Sequence, residues 1–350
     1  MDRMTQAARD GIVVGVDTHR DVHVAVALDP VGGRLGVCSV PTTRAGYAEL
    51  ERWAAGLGTV RAFGIEGTGS YGAGLARHLR AAGHEVREVD RPDRSTRRRL
   101  GKSDPLDAEA AARSVLAGTA TTRPKTADGI VEALRLLVLT KRSADKARTA
   151  AMTQLRAVIV TAPAMLRETL DDLGPAALLD RCASLRPGDP VDPTSATRHA
   201  LRALARRIRA LDAELADVVG LIDRLTLRRA PALRARFGVG PDTAAALLIA
   251  AGDDPDRVRS EAAFAALCGA SPVPASSGLR TRHRLNRGGD RQANCALHRI
   301  VLTRLSHHAP TRAYMARRTA EGLSKREIIR CLKRYVAREV FAVLEAPVAG

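Results

Sequence analysis

Aromatic residues are almost missing from this chain. Trp, Tyr and Phe together make up 3% of its 350 residues, which argues against stacking platforms for unpaired bases. Cysteine is sparse as well. The five cysteines (Cys38, Cys182, Cys268, Cys295 and Cys331) are odd in number and never form a C-x-x-C pair. That argues against a disulfide framework or a zinc ribbon and points to a reducing cytoplasm. No apolar run approaches the roughly 20 residues of a membrane helix, and the opening MDRMTQAARDG has no apolar signal core. A soluble cytoplasmic protein without a membrane partner is therefore expected. Lysine is scarce too: six of the 56 basic residues are lysine and the rest arginine.

Acid is also in short supply, and that shortage is the loudest signal. The formal net charge is +18. Arginine forks match phosphate oxygens, so the expected partner is a polyanion. A GC-rich genome accounts for part of the preference for arginine over lysine, but not for the excess of base over acid. With 45% apolar residues, the chain is long enough for two or three domains with real cores.

Strand patterns open the chain. Ile12 to Val16 is a short apolar run ending at Asp17, and Val22, Val24, Val26 and Leu28 alternate as a half-buried strand does. DPVGG (29–33) reads as a turn, so these segments and 34–40 form an antiparallel meander. A helix over 44–57, a strand over 60–65 ending at Glu66, a helix over 73–82 and a strand over 85–89 follow. The order β-β-β-α-β-α-β-α is that of a ribonuclease-H-like fold, a mixed five-stranded sheet with helices on both faces. Doubly wound alternatives begin β-α-β.

Residues 127–230 read as almost all helix. Leu201, Leu204, Ile208, Leu211, Leu215, Val218, Ile222 and Leu225 step by threes and fours, an a/d seam of about three and a half heptads. The seam can pair with another subunit or fold back on 130–160. Its narrowness favours an oligomer-forming coiled-coil arm. FGVGPDTAAALLIAAG (237–252) then places Gly238 and Gly240 ahead of an apolar helix. This is the shape of a helix-hairpin-helix element, whose terminal amides suit a DNA phosphate. An ordinary tight turn fits equally well. The last helix starts at a capping box, Ser324 with Glu327.

Two carboxylates stand in STRRRLGKSDPLDAEAAAR (95–113), just after Arg97, Arg98 and Arg99. Asp104 and Asp107 are three apart and share one helix face. Asp17 and Glu66 close strands that are neighbours in a ribonuclease-H-like sheet. Four converging carboxylates repel unless divalent cations sit among them, and hard oxygen ligands suit Mg²⁺ or Mn²⁺. Two such ions about 4 Å apart clamp the attacking and leaving oxygens of a phosphoryl transfer. Singly, each acid reads as a solvated charge or a first-turn helix acid, and Asp17 alone also suits an actin-like ATPase. His19, Asp21 and His23 read as strand-edge polar residues.

GVDTHRDVHVAVAL, IEGTGSYG and GKSDPLDAEAAARS resemble the DEDD transposases of insertion sequences, the one-hundred-and-ten family, which have a RuvC-like N-terminal domain. The resemblance continues through GVGPDTAAALL and AAFAALCGASPVPASSG and covers about residues 10–345. It implies Asp17, Glu66, Asp104 and Asp107 as a Mg²⁺ site, with Mn²⁺ as a substitute. It also implies that the serine before the glycine of Ser-Ser-Gly, Ser277, is a nucleophile. On residue type alone, Ser276 and Ser277 read as a turn touching phosphate. Arg280, Arg282, Arg284, Arg287 and Arg291 surround them in sequence as candidate DNA contacts and charge stabilisers. Many family members carry Ser-Lys before the next glycine, where this chain has Asn286-Arg287-Gly288.

The expected organisation is a metal domain over 10–122, a helical coiled-coil arm over 127–230 and a serine-bearing helical domain over 231–346. Because the two sites fall in separate domains, they are expected to meet across subunits of a dimer or tetramer. The resemblance further implies a structured guide RNA from the element itself. The expected function is DNA cutting and rejoining through a phosphoserine. The alternatives are a metal-dependent junction endonuclease using water and an inactive nucleic-acid-binding remnant.

Overall fold

Valine and isoleucine dominate the first strands, and their stiff branched side chains suit a pleated surface. In the computed structural model, which describes residues 11–89, 103–126, 128–254, 257–275 and 283–345, β1 (Ile12–Thr18), β2 (Val22–Leu28) and β3 (Arg34–Pro41) form an antiparallel meander. The Asp29 carboxylate accepts from the Val31 and Gly33 amides at 2.9 and 2.8 Å, which closes the DPVGG turn. β4 (Val60–Glu66) pairs parallel with β1, and β5 (Val86–Val89) parallel with β4. The sheet order is β3-β2-β1-β4-β5. This mixed sheet has the element order expected of a ribonuclease-H-like domain.

Helices α1 (Arg44–Leu57) and α2 (Ala73–Ala81) cover one face, packing Leu50, Ala54, Leu75 and Leu79 on Val14, Val16, Phe63 and Ile65. On the other face, Ala108, Ala111, Ala112 and Val115 of α3 (Asp104–Leu116) meet Val13, Val26 and Ala62. The sequence reading of β2 as half-buried is corrected here. From His23 to Leu28 every residue is buried. The intervening positions are His23, Ala25 and Ala27, small or aromatic rather than charged, so both faces lie under helix.

Two glycines set how closely α3 lies on the sheet. A Cβ on Gly15 would fall 2.0 Å from the Ala108 carbonyl oxygen and 2.3 Å from the Ala112 nitrogen, and one on Gly64 2.6 Å from Val115 Cγ2. Backbone cannot yield as a side chain does. Gly15→Ala is therefore expected to cost about 3 kcal/mol or more, read as a lowered denaturant midpoint. An unchanged midpoint would show that α3 does not pack this tightly.

On the opposite face, Glu51 of α1 accepts from the ring nitrogens of His78 (3.1 Å) and His84 (2.9 Å). The bond from His84, chiefly, holds its carboxyl below the ordinary 4.5. A depressed folded-state pKa contributes stability above the unfolded value and loses it as pH falls through the folded one. Glu51→Gln is expected to cost at most about 1 kcal/mol at neutral pH, since the pair is partly solvated. The gap between the two proteins should close on acidification below the ordinary value. A gap that persists in acid would refute this assignment.

The chain divides into two compact units, Met1–Gly129 with Ala251–Arg259, and Ile130–Ala250 with Ser260–Gly350. In the second unit α4 (Ile130–Val160) runs out to α5 (Ala164–Glu168) and α6 (Pro175–Ser184), and α7 (Pro193–Arg229) runs back. Ala151, Leu155 and Ile159 of α4 share a core with Leu201, Ala205 and Ile208 of α7, and Arg148 pairs with Asp212. The a/d seam therefore packs within the chain as an antiparallel hairpin. Periodicity shows that a seam must be covered but not by what, and here α4 is joined to it through α5 and α6.

The same unit continues through α8 (Pro231–Arg234), α9 (Pro241–Ala251), which runs to its edge, and α10 (Glu261–Leu267). A small antiparallel pair follows, β6 (Val273–Pro274) with β7 (His283–Arg284), then α11 (Arg291–His307), α12 (Ala309–Ala320) and α13 (Lys325–Glu345). The Ser324 amide donates to Glu327 Oε2 at 2.9 Å and the Glu327 amide to Ser324 Oγ at 3.4 Å, the reciprocal cap read from sequence. Arg304 forks onto Glu339 at 2.7 and 3.1 Å, joining α11 to α13.

Candidate metal centre

Strand pairing sets β1, which carries Asp17, beside β4, which ends at Glu66. Val16 lies opposite Ile65 in the parallel β1–β4 pair, and Asp17 and Glu66 follow these two residues on their strands. Gly15 and Gly64 face α3. Side chains alternate along a strand, so Asp17 and Glu66, two residues on, share that face. The helix on that face begins with Asp104 and carries Asp107 one turn later, and Pro105 fits its first turn. The Ser103 carbonyl accepts the Asp107 amide at 3.0 Å.

Asp17 and Asp107 are buried, at 7% and 6% exposure. Burial pushes the Asp17 carboxyl above its ordinary 3.8, and the charges of Asp107 and Asp104 push the same way, while His19 opposes them. His19 is the residue that sequence reasoning missed. Its Nε2 lies 3.2 Å from Asp17 Oδ2 and 3.3 Å from Asp104 Oδ1. One ligand atom from each of Asp17, His19 and Asp104 lies within 4.8 Å of the others. The signal was the D-x-H spacing, since two residues apart at a strand end share a face. The structure thus gathers Asp17, His19 and Asp104; Asp107 acts on Asp17 through its charge, and neither Asp107 nor Glu66 belongs to that cluster. Carboxylate oxygens with one imidazole form a donor set that fits a divalent cation.

The nucleic-acid candidates are less concentrated. Arg97, Arg98, Arg99, Ser276, Ser277, Arg280 and Arg282 lie outside the described residues. Arg284, Arg287 and Arg291 are exposed, on β7, on the path to α11 and at the start of α11 respectively. Gly238 adopts φ +80°, a turn that favours glycine. The Gly240 amide donates to Thr243 Oγ1 at 3.0 Å, so it already has a partner within the chain.

A mixed sheet in this order, with an acid at a strand end and acids on the helix that follows, is consistent with a class of domain, the DEDD ribonuclease-H-like domain. A DEDD transposase family model, IS110, matches residues 14–162. A second model, transposase IS116/IS110/IS902 family, matches residues 230–316. The chain belongs to the IS110 family of transposases. It is accordingly a DNA transposase, an enzyme of recombination. Among curated proteins nothing matches. Among the described residues no helix is long and apolar enough to cross a membrane.

Proposed function

We propose that this transposase cuts and rejoins DNA by transesterification, with Ser277 as nucleophile and the acids around Asp17 as a divalent-cation site. The observation that carries the reading is the gathering of buried Asp17 with His19 and Asp104. Family membership supports divalent-metal dependence. Asp17 and Asp104, with Asp107, Glu66 and His19 beside them, would hold Mg²⁺ or Mn²⁺. The cation supplies positive charge to the oxygens of the phosphate under attack.

The serine oxygen bonds to phosphorus, a bridging P–O bond of the DNA breaks, and the freed strand end leaves as a hydroxyl that takes the proton lost by serine. The resulting phosphoserine diester keeps the bond energy, so a new strand hydroxyl can displace the serine without ATP. A serine hydroxyl needs help to lose its proton. The arginines that follow Ser277 in sequence are suited to stabilising both the alkoxide and the crowded phosphorus.

In this reading a structured RNA from the element pairs with target and donor DNA. The chain binds it by backbone and shape, as its charge of +18 favours. The working form is a homo-oligomer, dimer or tetramer. Light scattering of the DNA-bound protein tests that part, and a monomer rejects it.

A water-using endonuclease is the second reading, and the acid site by itself favours it, since such a site also activates water. Incubation with the element's ends, its RNA and Mg²⁺ separates the two. Protein-blocked DNA ends support the serine route, and free phosphate ends support hydrolysis.

A further inference from the structure

The second unit contains a cavity of about 830 Å³ between the β6–β7 pair and α13. Its lining is strongly one-sided in charge. Arg284, Arg318, Arg330, Lys333 and Arg334 face it, with Glu327 the one carboxylate among the described lining residues. Arg318 pairs with Glu321, and Arg334 with Glu261. Glu327 is taken up by the cap at Ser324 and lies 4.0 Å from Arg330.

Lys333 is the unusual member. It is 6% exposed, yet its hydrogen-bond partner is a neutral amide: Nζ donates to Asn294 Oδ1 at 2.6 Å. A lysine is almost never buried this far without an anionic partner. The amide cannot turn away. Asn294 Nδ2 donates to the carbonyls of Cys268 and Gly269 at 2.8 and 3.0 Å, which fixes Oδ1 toward the ammonium. Two positive-φ glycines make this approach possible. A Cβ on Gly289 would fall 2.6 Å from the Leu267 carbonyl, and one on Gly269 2.7 Å from that of Gly288. Burial pulls the Lys333 pKa down. An anion in the cavity reverses that cost by supplying the missing charge.

We propose that this cavity binds a phosphodiester of the DNA backbone, with Lys333 as its buried anchor and Arg330 and Arg284 as the outer contacts. The inference deepens the reading of this chain as a DNA-joining enzyme and rests on it for the identity of the polyanion. A phosphodiester fits better than a carboxylate because two arginine forks, Arg284 and Arg330, line the cavity with one ammonium, a donor set matched to multiple anionic oxygens. Lys333 is a positioning residue here. It fixes the strand, while the hydroxyl and the metal site perform the chemistry.

The test is the salt dependence of binding, measured on the full chain with a fluorescein-labelled duplex of the element's end and with RNA of the same sequence. Each phosphate contact contributes about 0.9 to the slope of log affinity against log salt on duplex DNA. Lys333→Met keeps the aliphatic stem and is expected to lower the DNA slope by about one and weaken binding across sequences alike. Arg284→Gln, exposed on β7, does the same without touching the core and keeps the test open if Lys333→Met fails to fold. Lys333→Arg recovers part of the slope, which a purely structural role would not predict.

If the DNA slope is unchanged in both Lys333→Met and Arg284→Gln, the proposal is wrong. If only the RNA slope falls, the DNA assignment is overturned in favour of an RNA phosphate. Adduct formation by the unaltered chain is scored separately. A normal adduct with unmoved slopes sinks this inference alone. Fallen slopes with no adduct sink the serine mechanism and leave the pocket standing.

Discussion

Ser277→Ala is expected to abolish the covalent protein–DNA adduct and to lower strand exchange by about a thousandfold or more, the scale on which loss of a nucleophile acts. In the proposed serine route the hydroxyl oxygen is the atom that bonds to phosphorus, and alanine leaves no substitute group at that carbon. DNA affinity should change little, because one uncharged hydroxyl contributes little to a contact dominated by phosphate charge. That split distinguishes a nucleophile from a backbone contact. Ser276→Ala is the matched control and should retain the adduct. The assignment fails if Ser277→Ala recombines DNA at the normal rate. It moves by one residue if only Ser276→Ala loses the adduct.

Asp17→Asn carries the second large expectation. The carboxylate is buried, lies beside His19 and feels the charges of Asp104 and Asp107. Removing its charge takes one hard oxygen ligand from the set. Calorimetric titration with Mn²⁺ should show a loss of affinity of about a hundredfold, at or beyond the upper end of what supporting residues alone cost. Strand exchange should fall at least as far. The metal-free variant should melt higher than the unaltered protein, because two acids no longer face a third. An acid whose folded pKa is raised contributes stability below its unfolded value and loses it as pH rises through the folded one. The metal-free difference should therefore widen from acid toward neutral pH. Normal Mn²⁺ affinity in Asp17→Asn would remove Asp17 from the metal site.

The sheet was legible because its signals are local. Alternating valines, the DPVGG turn and acids at strand ends each speak within a few residues. The meander before the first helix separates this fold from doubly wound ones. The parallel pairing of β1 with β4 also followed, since register in such a pair is set by buried faces on both strands. His19 was misread because its role depends on Asp104, which arrives from a helix 85 positions later in sequence, as the two numbers show. The partner of the α7 seam was misjudged for a related reason: leucines spaced by threes and fours say nothing about which helix covers them. Lys333 gave no sign at all. On a helix rich in arginine and glutamate one more cation reads as a solvated face, and only the fold brings Asn294 to it.

The glycine contacts between α3 and the sheet have a consequence for how this enzyme can vary. Contact of α3 with Gly15 and Gly64 sets how far the helix that carries Asp104 and Asp107 stands from the sheet. A change among the five arginines of residues 90–102 leaves both of those glycines in place.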